Sequence, residues 1–520
     1  MPHDQAKESV VSLRERVKSP PAASIVESYF RPAIEAEIRL QFDAEMRIHL
    51  AHAVMLAECG IVAESEIAKI LKVLVELRQT GAGSLNIDYT HEDLYSYTEK
   101  YIVERLGPET GGRLHTGRSR NDLHTTAWRL TLRAKLINLL DNLNVLRQTL
   151  LHLAGEHTET VMPGYTHTQH AQPISLGYYL LAAFDLLSRD YRRLSAALDC
   201  CDRSPLGSGA LSTTGFPINR QRSAEFLGFS GLVEVAYDGV AIRDDLHEAV
   251  GALAIMMTGI SRLATDLQIW NTMEFGMIEL DDAYSSVSSI MPQKKNPQAL
   301  EHVKAVAAIS IGSANTVFAS SKNTALADVN DGVSAGNVPA LDAIERATLA
   351  LAVMEGAIRT MNVRKEIMQR LAEIGFGTAT ELADIIVRET GISFRMAHNL
   401  VGRMVREAIE AGHTAMDLTT EQVDAASQAL FGYPLKIPAS AISRALNPSE
   451  NLKSRTVTGG PAPELMTAMI AERQEKLRDA EHLVEQLKAQ IRSAETLLSA
   501  AVQDIIGKTT SHERQAHGTT

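Results

Sequence analysis

The chain has 520 residues, and its 51 Lys and Arg against 63 Asp and Glu give a formal net charge of −12. Hydrophobic residues make up 45% and charged residues 22%, as in globular proteins, so disorder is excluded as the dominant state. Net acidity disfavours a nucleic-acid-binding protein, which would carry a basic face. We see no apolar run near the ~20 residues that span a bilayer and no signal-peptide core. With only three cysteines, we expect a cytoplasmic protein without nucleic acid or membrane as partner.

The N-terminal part of the chain is predicted to be partly ordered. Residues 1–20 are polar, and we expect them to be disordered. Pro20 and Pro21 mark the end of this stretch. Short helical segments follow from about residue 36 to residue 78, until Gly81 and Gly83 interrupt the pattern.

Long helices are predicted in the middle of the chain. A helix begins after His115, with Asn121 or Asp122 as its expected N-cap. Its leucines recur every 3 or 4 residues, at positions 132, 136, 139, 143, 146, 150 and 153. This heptad spacing is typical of a long helix that packs against others. Similar seams at Leu176–Leu187 and Leu253–Leu267 complete a predicted helix bundle, whose seams could also serve subunit contacts.

The C-terminal part is charged and locally helical from about residue 363. A last helix is predicted from about residue 463 to residue 506, and the polar tail 507–520 is expected to be disordered. We therefore predict an all-α protein with three domains. These are an N-terminal helical domain at 1–117, a central long-helix bundle at 118–365 and a C-terminal helical domain at 366–520.

One polar loop between two predicted helices carries a recognisable motif. Residues 285–297 read SSVSSIMPQKKNP. For a serine-rich loop, a plain polar connector is the first alternative. However, the loop resembles the GSSxMPxKxNP signature of the fumarase/aspartase superfamily. The matching positions are Ser288, Ser289, Met291, Pro292, Lys294 and Asn296–Pro297.

Further segments resemble the argininosuccinate lyase branch of that superfamily. They are HTGRSRND at 115–122, YTHTQHAQP at 165–173, LGSGAL at 206–211 and TVTGGPAP at 456–463. The resemblance extends from about residue 30 to 475. It implies a three-domain homotetramer whose central helix bundle forms the tetramer core, with each active site assembled from three loops of three subunits. It also implies a carbon–nitrogen lyase that uses no metal or cofactor, takes a small di- or polycarboxylate and releases fumarate.

The serine loop would supply the base. Removing a proton from the carbon beside a carboxylate creates an unstable dianion, so the site needs a base, a carboxylate-binding group and an acid. Ser288 matches the family's base, and backbone N–H groups and a nearby Lys can stabilise its oxyanion. Lys294 and Asn296 would hold the carboxylate whose charge grows in the transition state. Lys295 is expected to be solvent-facing or structural.

The second segment would supply proton transfer. Thr166 and His167 match a substrate-contacting pair, and His167 is a candidate acid or proton relay. Glu301 matches the carboxylate that pairs with this histidine and raises its basicity. A metal site at His167 and His170 is an alternative that the sequence disfavours, since no further ligand lies at supporting spacing.

The first segment would bind the rest of the substrate. Ser119, Arg120 and Asn121 match residues that bind the other carboxylate and the amino-acid portion, and Arg provides a forked donor for a carboxylate. Arg243 matches another arginine in or around the family's substrate site. We expect Arg120, Asn121, Lys294 and Asn296 to form a cationic, amide-rich cleft in an acidic protein.

The chain departs from the argininosuccinate lyase pattern at three places. Val287 replaces the glycine of the signature, and Glu92–Tyr95 reads EDLY instead of EDxH. In an ungapped count, the Tyr, Gln and Lys of the family's YNKDLQEDK segment become Asp328, Val333 and Gly336. The catalytic groups are kept, but the leaving-group pocket differs.

These departures set the substrate hypotheses. We expect an N-substituted aspartate with another amine, and Asp328 or Asp331 could meet a cationic amine. An aminopolycarboxylate such as ethylenediamine-N,N'-disuccinate is the leading candidate. Argininosuccinate, with an insertion that spoils the ungapped count, is the second. A non-catalytic, crystallin-like structural protein is a remote third, because the catalytic set is retained.

Overall fold

The computed structural model describes residues 16–17 and 19–517 of the chain. The side chains at 331–334 and from 510 onward are outside that description. Most of the N-terminal residues predicted to be disordered, and the last three residues of the chain, therefore lie outside the described residues.

The described chain is mostly helical, as predicted. After short helical turns at Ala23–Ile25 and Val26–Phe30, the N-terminal helices are α1 (Arg31–Glu58), α2 (Glu64–Thr80), α3 (Leu94–Leu106) and α4 (Pro108–Gly111). The central helices are α5 (Arg120–Glu156), α6 (Leu176–Cys201), α7 (Arg220–Leu227), α8 (Asp238–Ala241), α9 (Asp244–Trp270), α10 (Gln298–Ser321) and α11 (Asn330–Thr360). The C-terminal helices are α12 (Lys365–Ile374), α13 (Ala379–Thr390), α14 (Phe394–Glu410), α15 (Thr420–Phe431), α16 (Ala439–Leu446), α17 (Pro448–Ser454) and α18 (Pro463–His517).

Small two-stranded ribbons and 3₁₀ turns interrupt the helices. The strands are β1 (Val161–Thr166), β2 (Gln169–Ser175), β3 (Ile278–Glu279), β4 (Ser286–Val287), β5 (Lys295–Asn296) and β6 (Asn362–Val363). They pair antiparallel as β1–β2, β3–β6 and β4–β5. The 3₁₀ turns lie at Ala82–Ser84, Gly112–His115, Asp282–Tyr284 and Ala415–Asp417.

Five long helices form the centre of the molecule. Helices α5, α6, α9, α10 and α11 pack in a ring, each against the next, and α11 returns to α5. The six predicted seam leucines from 132 to 150 are at most 1% exposed, and the other two seams are buried as well. The heptad spacing therefore identified the buried faces correctly.

The start of α5 differs from the predicted N-cap. Ser119 is the N-cap, and its hydroxyl accepts the Asn121 backbone N–H at 3.3 Å. Asp122 is three residues further on, and its carboxylate accepts the Ser119 N–H at 3.0 Å. This capping box satisfies backbone N–H groups from both directions, so Ser119 is favoured as the N-cap over Asn121 and Asp122.

The last helix also differs from the prediction. Helix α18 runs to His517, so residues 507–517 are helical rather than disordered. Extending an existing helix needs no new nucleation, and this segment contains good helix formers such as Lys508, Glu513 and Arg514.

The apolar cores do not follow the predicted C-terminal boundary. The central core includes Ala480 and Val484 of α18, and the N-terminal core includes Leu498 and Val502 of the same helix. The C-terminal core lies within residues 382–446. Helix α18 therefore packs with the central and N-terminal cores and not with the C-terminal core. The predicted domain 366–520, in contrast, placed this helix and the C-terminal core together.

Two described helices, α9 and α10, have the length and composition of a membrane-spanning helix, which we did not expect from the sequence. The apolar stretch of α9 is 56% buried inside the molecule, as in a core helix, but that of α10 is only 33% buried. Ile309, Ile311 and Phe318 on α10 are 43–48% exposed. Helix α10 thus has large apolar side chains on both sides of its buried face that this chain leaves uncovered.

Candidate active site

The predicted serine loop is the tip of the β4–β5 ribbon. Ser286 lies opposite Asn296, and Val287 lies opposite Lys295. The Asn296 side-chain amide donates to the Ser286 hydroxyl at 3.4 Å. Val287 takes ordinary extended backbone and is 82% exposed, so this position does not require the family's glycine.

The Ser288 hydroxyl is held by backbone donors. Its oxygen accepts the N–H of Met291 at 3.0 Å and that of Ile290 at 3.3 Å. Two N–H dipoles directed at one oxygen stabilise negative charge on it. The Ser285 hydroxyl instead donates to the Asp281 carbonyl at 2.9 Å. The local geometry therefore favours Ser288 as the residue that could carry an oxyanion.

The two lysines of the loop have different surroundings. Lys295 forms ion pairs with Asp282 at 2.7 Å and Glu279 at 3.4 Å, and Glu279 also pairs with Arg364. Lys295 therefore ties the ribbon to its base. Lys294 is exposed, and its ammonium makes no hydrogen bond or ion pair with the described residues.

The segment with Thr166 and His167 is the end of the β1–β2 hairpin. Thr166 pairs with Gln169, which leaves His167 and Thr168 as a two-residue turn. Both turn residues have positive φ, 52° and 59°, a conformation that glycine and asparagine adopt more readily. The tight turn holds Thr166 and His167 exposed at the hairpin tip, and such strain often marks a functional site.

The hairpin rests on the segment that joins α12 to α13. A Cβ at Gly377 would overlap the carbonyl oxygen of Ala171, and one at Gly375 would lie 2.6 Å from the His170 Nδ1. The His170 ring also packs edge-on against Tyr165, with centroids 5.4 Å apart. His170 is thus a packing residue, and no group of three potential metal ligands occurs within the described part of the chain.

The first segment sits at the N-terminus of α5. The Ser119 hydroxyl accepts a capping bond but can still donate its own hydrogen. The Asn121 amide donates to the Ala210 carbonyl at 3.3 Å. Free N–H groups at the start of a 37-residue helix favour a bound carboxylate nearby.

Arg120 is already engaged by carboxylates. Its Nη1 lies 2.9 Å from Asp93 Oδ2 and 3.2 Å from Glu92 Oε2. Although burial opposes the charged form, Asp93 and Glu92 keep the pKa of Arg120 above its usual value. The predicted cationic cleft therefore needs correction, since Arg120 is largely neutralised within its own chain.

A buried polar face of α1 lies beside the first segment, and sequence reasoning missed it. Glu37, Gln41, Glu45 and His49 follow at intervals of four, which places them on one helix face. Gln41, Glu45 and His49 are at most 1% exposed, and neither Gln41 amide atom has a hydrogen-bond partner in the described part of the molecule. Burial raises the pKa of Glu45 to about 8. The spacing of four was the available signal in the sequence.

His124 faces this polar surface from α5. Its Nε2 lies 3.5 Å from Asp93 Oδ2, and its Nδ1 lies 3.9 Å from Glu37 Oε1. Burial opposes protonation, but the carboxylates of Asp93 and Glu37 raise the pKa of His124 to about 9. The Glu92–Tyr95 segment, one of the departures, therefore contacts the first segment directly, and the Tyr95 hydroxyl also bonds His115 Nδ1 at 2.8 Å.

Asp328 and Arg243 lie near the same place. Burial raises the pKa of Asp328, while the charges of His124 and Arg243 lower it. Arg243 is 8% exposed, and its Nη2 donates to Asn337 Oδ1 at 3.0 Å. Arg243 therefore connects the start of α9 to α11 and lies behind the surface.

The predicted site residues form three separate groups in one chain. No hydrogen bond or ion pair among the described residues joins the Ser288 loop, the His167 hairpin and the Ser119 segment to one another, and none joins Glu301 to His167. Glu301 is exposed in the first turn of α10.

Residues 27–312 match a lyase family model, and residues 376–453 match the C-terminal model of argininosuccinate lyase. The argininosuccinate lyase of Methanosarcina mazei is 40% identical over 90% of this chain and 94% of its own length.

The chain belongs to the fumarase/aspartase superfamily, in its argininosuccinate lyase branch. It is a carbon–nitrogen lyase. Argininosuccinate lyase 1 of Shouchella clausii is 36% identical over 93% of this chain and 97% of that relative. Among solved structures, that of EDDS lyase in complex with formate superposes with a TM-score of 0.86 at 33% identity, covering 95% of this chain and 97% of that one. The class II fumarase of Schistosoma mansoni, at 16% identity and a TM-score of 0.66, shares the fold.

Proposed function

We propose that this superfamily member eliminates an amine from an N-substituted L-aspartate and releases fumarate, in a reversible reaction. The observation that carries the proposal is the Ser288 hydroxyl, whose oxygen lies under two backbone N–H groups in a loop that matches the superfamily signature. As an alkoxide, Ser288 takes a proton from the carbon beside the carboxylate. The electron pair forms the double bond of fumarate, the carbon–nitrogen bond breaks, and an acid protonates the departing amine.

The other groups follow from the same geometry. Lys294 and Asn296 bind the carboxylate on which charge develops, and Ser119 and Asn121 bind the second carboxylate at the start of α5. Thr166 and His167 act from the hairpin tip, with Glu301 of another subunit beside the imidazole. Neither a metal nor a cofactor takes part.

A homotetramer with shared active sites supports this chemistry. No hydrogen bond or ion pair joins the three groups within the described part of one chain, and helix α10 leaves several large apolar side chains uncovered. In an assembly, these side chains pack against other copies and the loops of three subunits meet. Mixing a Ser288→Ala variant with a His167→Asn variant tests this directly. Mixed tetramers regain activity because some sites receive neither substitution; if mixed and refolded samples stay inactive, the sites are not shared.

The leaving amine carries an ammonium group in this proposal. Glu37, Asp93 and Asp328 lie around His124 beside the Ser119 segment, so this end of the site is rich in carboxylates. Such surroundings suit an ammonium group, and the first amine that ethylenediamine-N,N'-disuccinate releases, N-(2-aminoethyl)aspartate, carries two amino groups together with its carboxylates. The proposal agrees with the structural similarity to EDDS lyase.

The decisive experiment compares two substrates. The protein is incubated with ethylenediamine-N,N'-disuccinate and with argininosuccinate, and fumarate is followed by absorbance. We expect faster release from the disuccinate and a loss of about 100- to 10,000-fold in Ser288→Ala, while the matched variant Ser289→Ala keeps most activity. No turnover in either direction with any amine would refute the enzyme, and full activity of Ser288→Ala would refute the base.

Argininosuccinate lyase is the second candidate. The 40% identity with the Methanosarcina mazei enzyme over 90% of this chain favours it. Faster cleavage of argininosuccinate than of the disuccinate would establish this alternative.

A further inference from the structure

The segment LGSGAL, residues 206–211, contacts the proposed carboxylate-binding residues through one buried side chain. Asp122 is fully buried, and its Oδ1 accepts the Ser119 N–H at 3.0 Å. Its Oδ2 accepts the N–H groups of Gly207 at 2.8 Å and of Gly209 at 3.0 Å. One carboxylate thus joins two parts of the chain that lie 85 residues apart in sequence.

The conformation of this segment depends on its glycines. Gly207 and Gly209 have φ angles of +85° and +63°, a region that glycine adopts without strain. A Cβ at Gly207 would lie 2.6 Å from the Arg220 Cγ, and one at Gly209 would lie 2.5 Å from the Thr213 carbonyl oxygen. In this conformation both glycine N–H groups point to the same carboxylate oxygen, as in a backbone anion nest.

The same segment also holds the Asn121 side chain. The Asn121 amide donates to the carbonyl of Ala210, the residue after Gly209. From the opposite side, Arg220 fixes the segment with Nε on the Leu206 carbonyl at 3.0 Å and Nη2 on the Ser208 hydroxyl at 3.3 Å. A shift of the segment would therefore move both the Ser119 backbone and the Asn121 amide.

A helix cap alone does not explain this arrangement. Capping α5 needs only the bond between Asp122 and the Ser119 N–H, which one carboxylate oxygen provides. The second oxygen is used entirely for the two glycine N–H groups. Charged hydrogen bonds in a buried place are stronger than neutral ones, so they fix the geometry of both partners.

We propose that Asp122 is a positioning residue and that residues 206–211 are a fourth active-site segment, which together set the positions of Ser119 and Asn121 for a substrate carboxylate. This inference rests on the proposed function, because it assigns the carboxylate to Ser119 and Asn121. Asp122 itself touches no substrate. Its effect appears in the binding of the dicarboxylate.

The test measures fumarate addition to ethylenediamine and, separately, to arginine by the full-length protein. In Asp122→Asn, one oxygen becomes an NH₂ group that cannot accept the glycine N–H groups. We expect the KM for fumarate to rise about tenfold or more, with a smaller change in kcat, because a carboxylate bound equally in ground and transition states affects KM. The KM for the amine should change little.

The matched control is Asp202→Asn. Asp202 is also buried and pairs with Arg133 at 2.7 Å, but it contacts none of the proposed site segments. It should lower the melting temperature and leave the KM for fumarate unchanged. A KM effect in Asp122→Asn no larger than in Asp202→Asn would show that Asp122 is only a structural residue.

A double substitution tests the route of the effect. If Asp122 acts through Asn121, the KM for fumarate of the double variant Asn121→Ala/Asp122→Asn rises by less than the product of the two single-variant fold-changes. A rise equal to that product would refute this route. If Asp122→Asn does not fold, Arg220→Lys, which loosens the segment from its other side, must raise the KM for fumarate. An inactive wild-type protein would refute the proposed function, whereas an active one with unchanged KM in these variants refutes this inference alone.

Discussion

The contact between Gly377 and the β1–β2 hairpin, which carries His167, gives the sharpest prediction. Gly377 lies between α12 and α13, where its Cα faces the backbone of Ala171 in β2. In Gly377→Ala, the new methyl group would overlap the Ala171 carbonyl oxygen. Neither partner is a flexible side chain, so one backbone segment has to move.

The size of the effect follows from this overlap. Carbon–oxygen contacts between neighbouring backbones lie near about 3.3 Å, so the hairpin and its support must separate by about 1 Å. His167 lies in the turn of the same short hairpin and moves with it. A misplacement of about 1 Å can cost about 100-fold in rate. We therefore expect kcat to fall about 100-fold.

The assay follows fumarate release by Gly377→Ala and by two matched variants. In Gly375→Ala the methyl group meets the His170 ring, which can rotate away, so the loss should be smaller. Gly402 lies inside α14 with no atom within 4 Å of the new Cβ. Gly402→Ala should keep full activity and gain about 0.5–1 kcal/mol of stability. Wild-type kcat in a folded Gly377→Ala protein would show that the support does not position His167.

Three further predictions concern stability and the amine. The pKa of His124 is about 9, against an ordinary value of 6.5. The contribution of protonated His124 to the free energy of unfolding is therefore fully present below pH 6.5 and is lost as the pH rises to about 9. This amounts to about 3 kcal/mol, and the stability of His124→Gln in urea unfolding should lack this part of the pH dependence. Leu143→Ala, at a fully buried seam position, should lower the free energy of unfolding in urea by about 2–5 kcal/mol. The control Gln148→Ala, at an exposed position of the same helix, should change it by less than about 0.5 kcal/mol. Asp328→Asn should raise the KM for ethylenediamine by up to about fivefold and leave that for fumarate unchanged; the opposite pattern would place Asp328 at the carboxylate end.

Periodicity in the sequence predicted the centre of the fold well. The leucine seam of α5 repeats over six turns, so a single misplaced residue could not change which face is buried. Helix ends were predicted less well, because they depend on single side-chain contacts. The cap at Ser119 is decided by its reciprocal bonds with Asp122, and Asp122 in turn binds glycines 85 residues further on. A contact between such distant residues has no local signal in the sequence.

The motifs located the candidate site residues but not their surroundings. Nothing around Arg120 in the sequence shows that Asp93 and Glu92 pair with it, because those residues precede it by almost 30 positions. The polar face of α1 had a signal in its spacing of four. That signal was hidden, since charged residues on a helix usually indicate a solvent-exposed face and here they are buried.

The arrangement of charge suggests how the proposed site would orient its substrate. The expected cleft was cationic and amide-rich, but Arg120 is paired with Asp93 and Glu92, and further carboxylates lie near His124. Lys294, in contrast, has an unpaired ammonium among the described residues. In the proposed tetramer, Lys294 would attract the carboxylate on the carbon that loses its proton, and the carboxylates near His124 would attract the ammonium of the leaving amine. Reversing the substrate would place like charges together at both ends, which costs free energy in a site that excludes water. Opposite charge at the two ends thus favours the one orientation in which Ser288 faces the carbon that loses its proton.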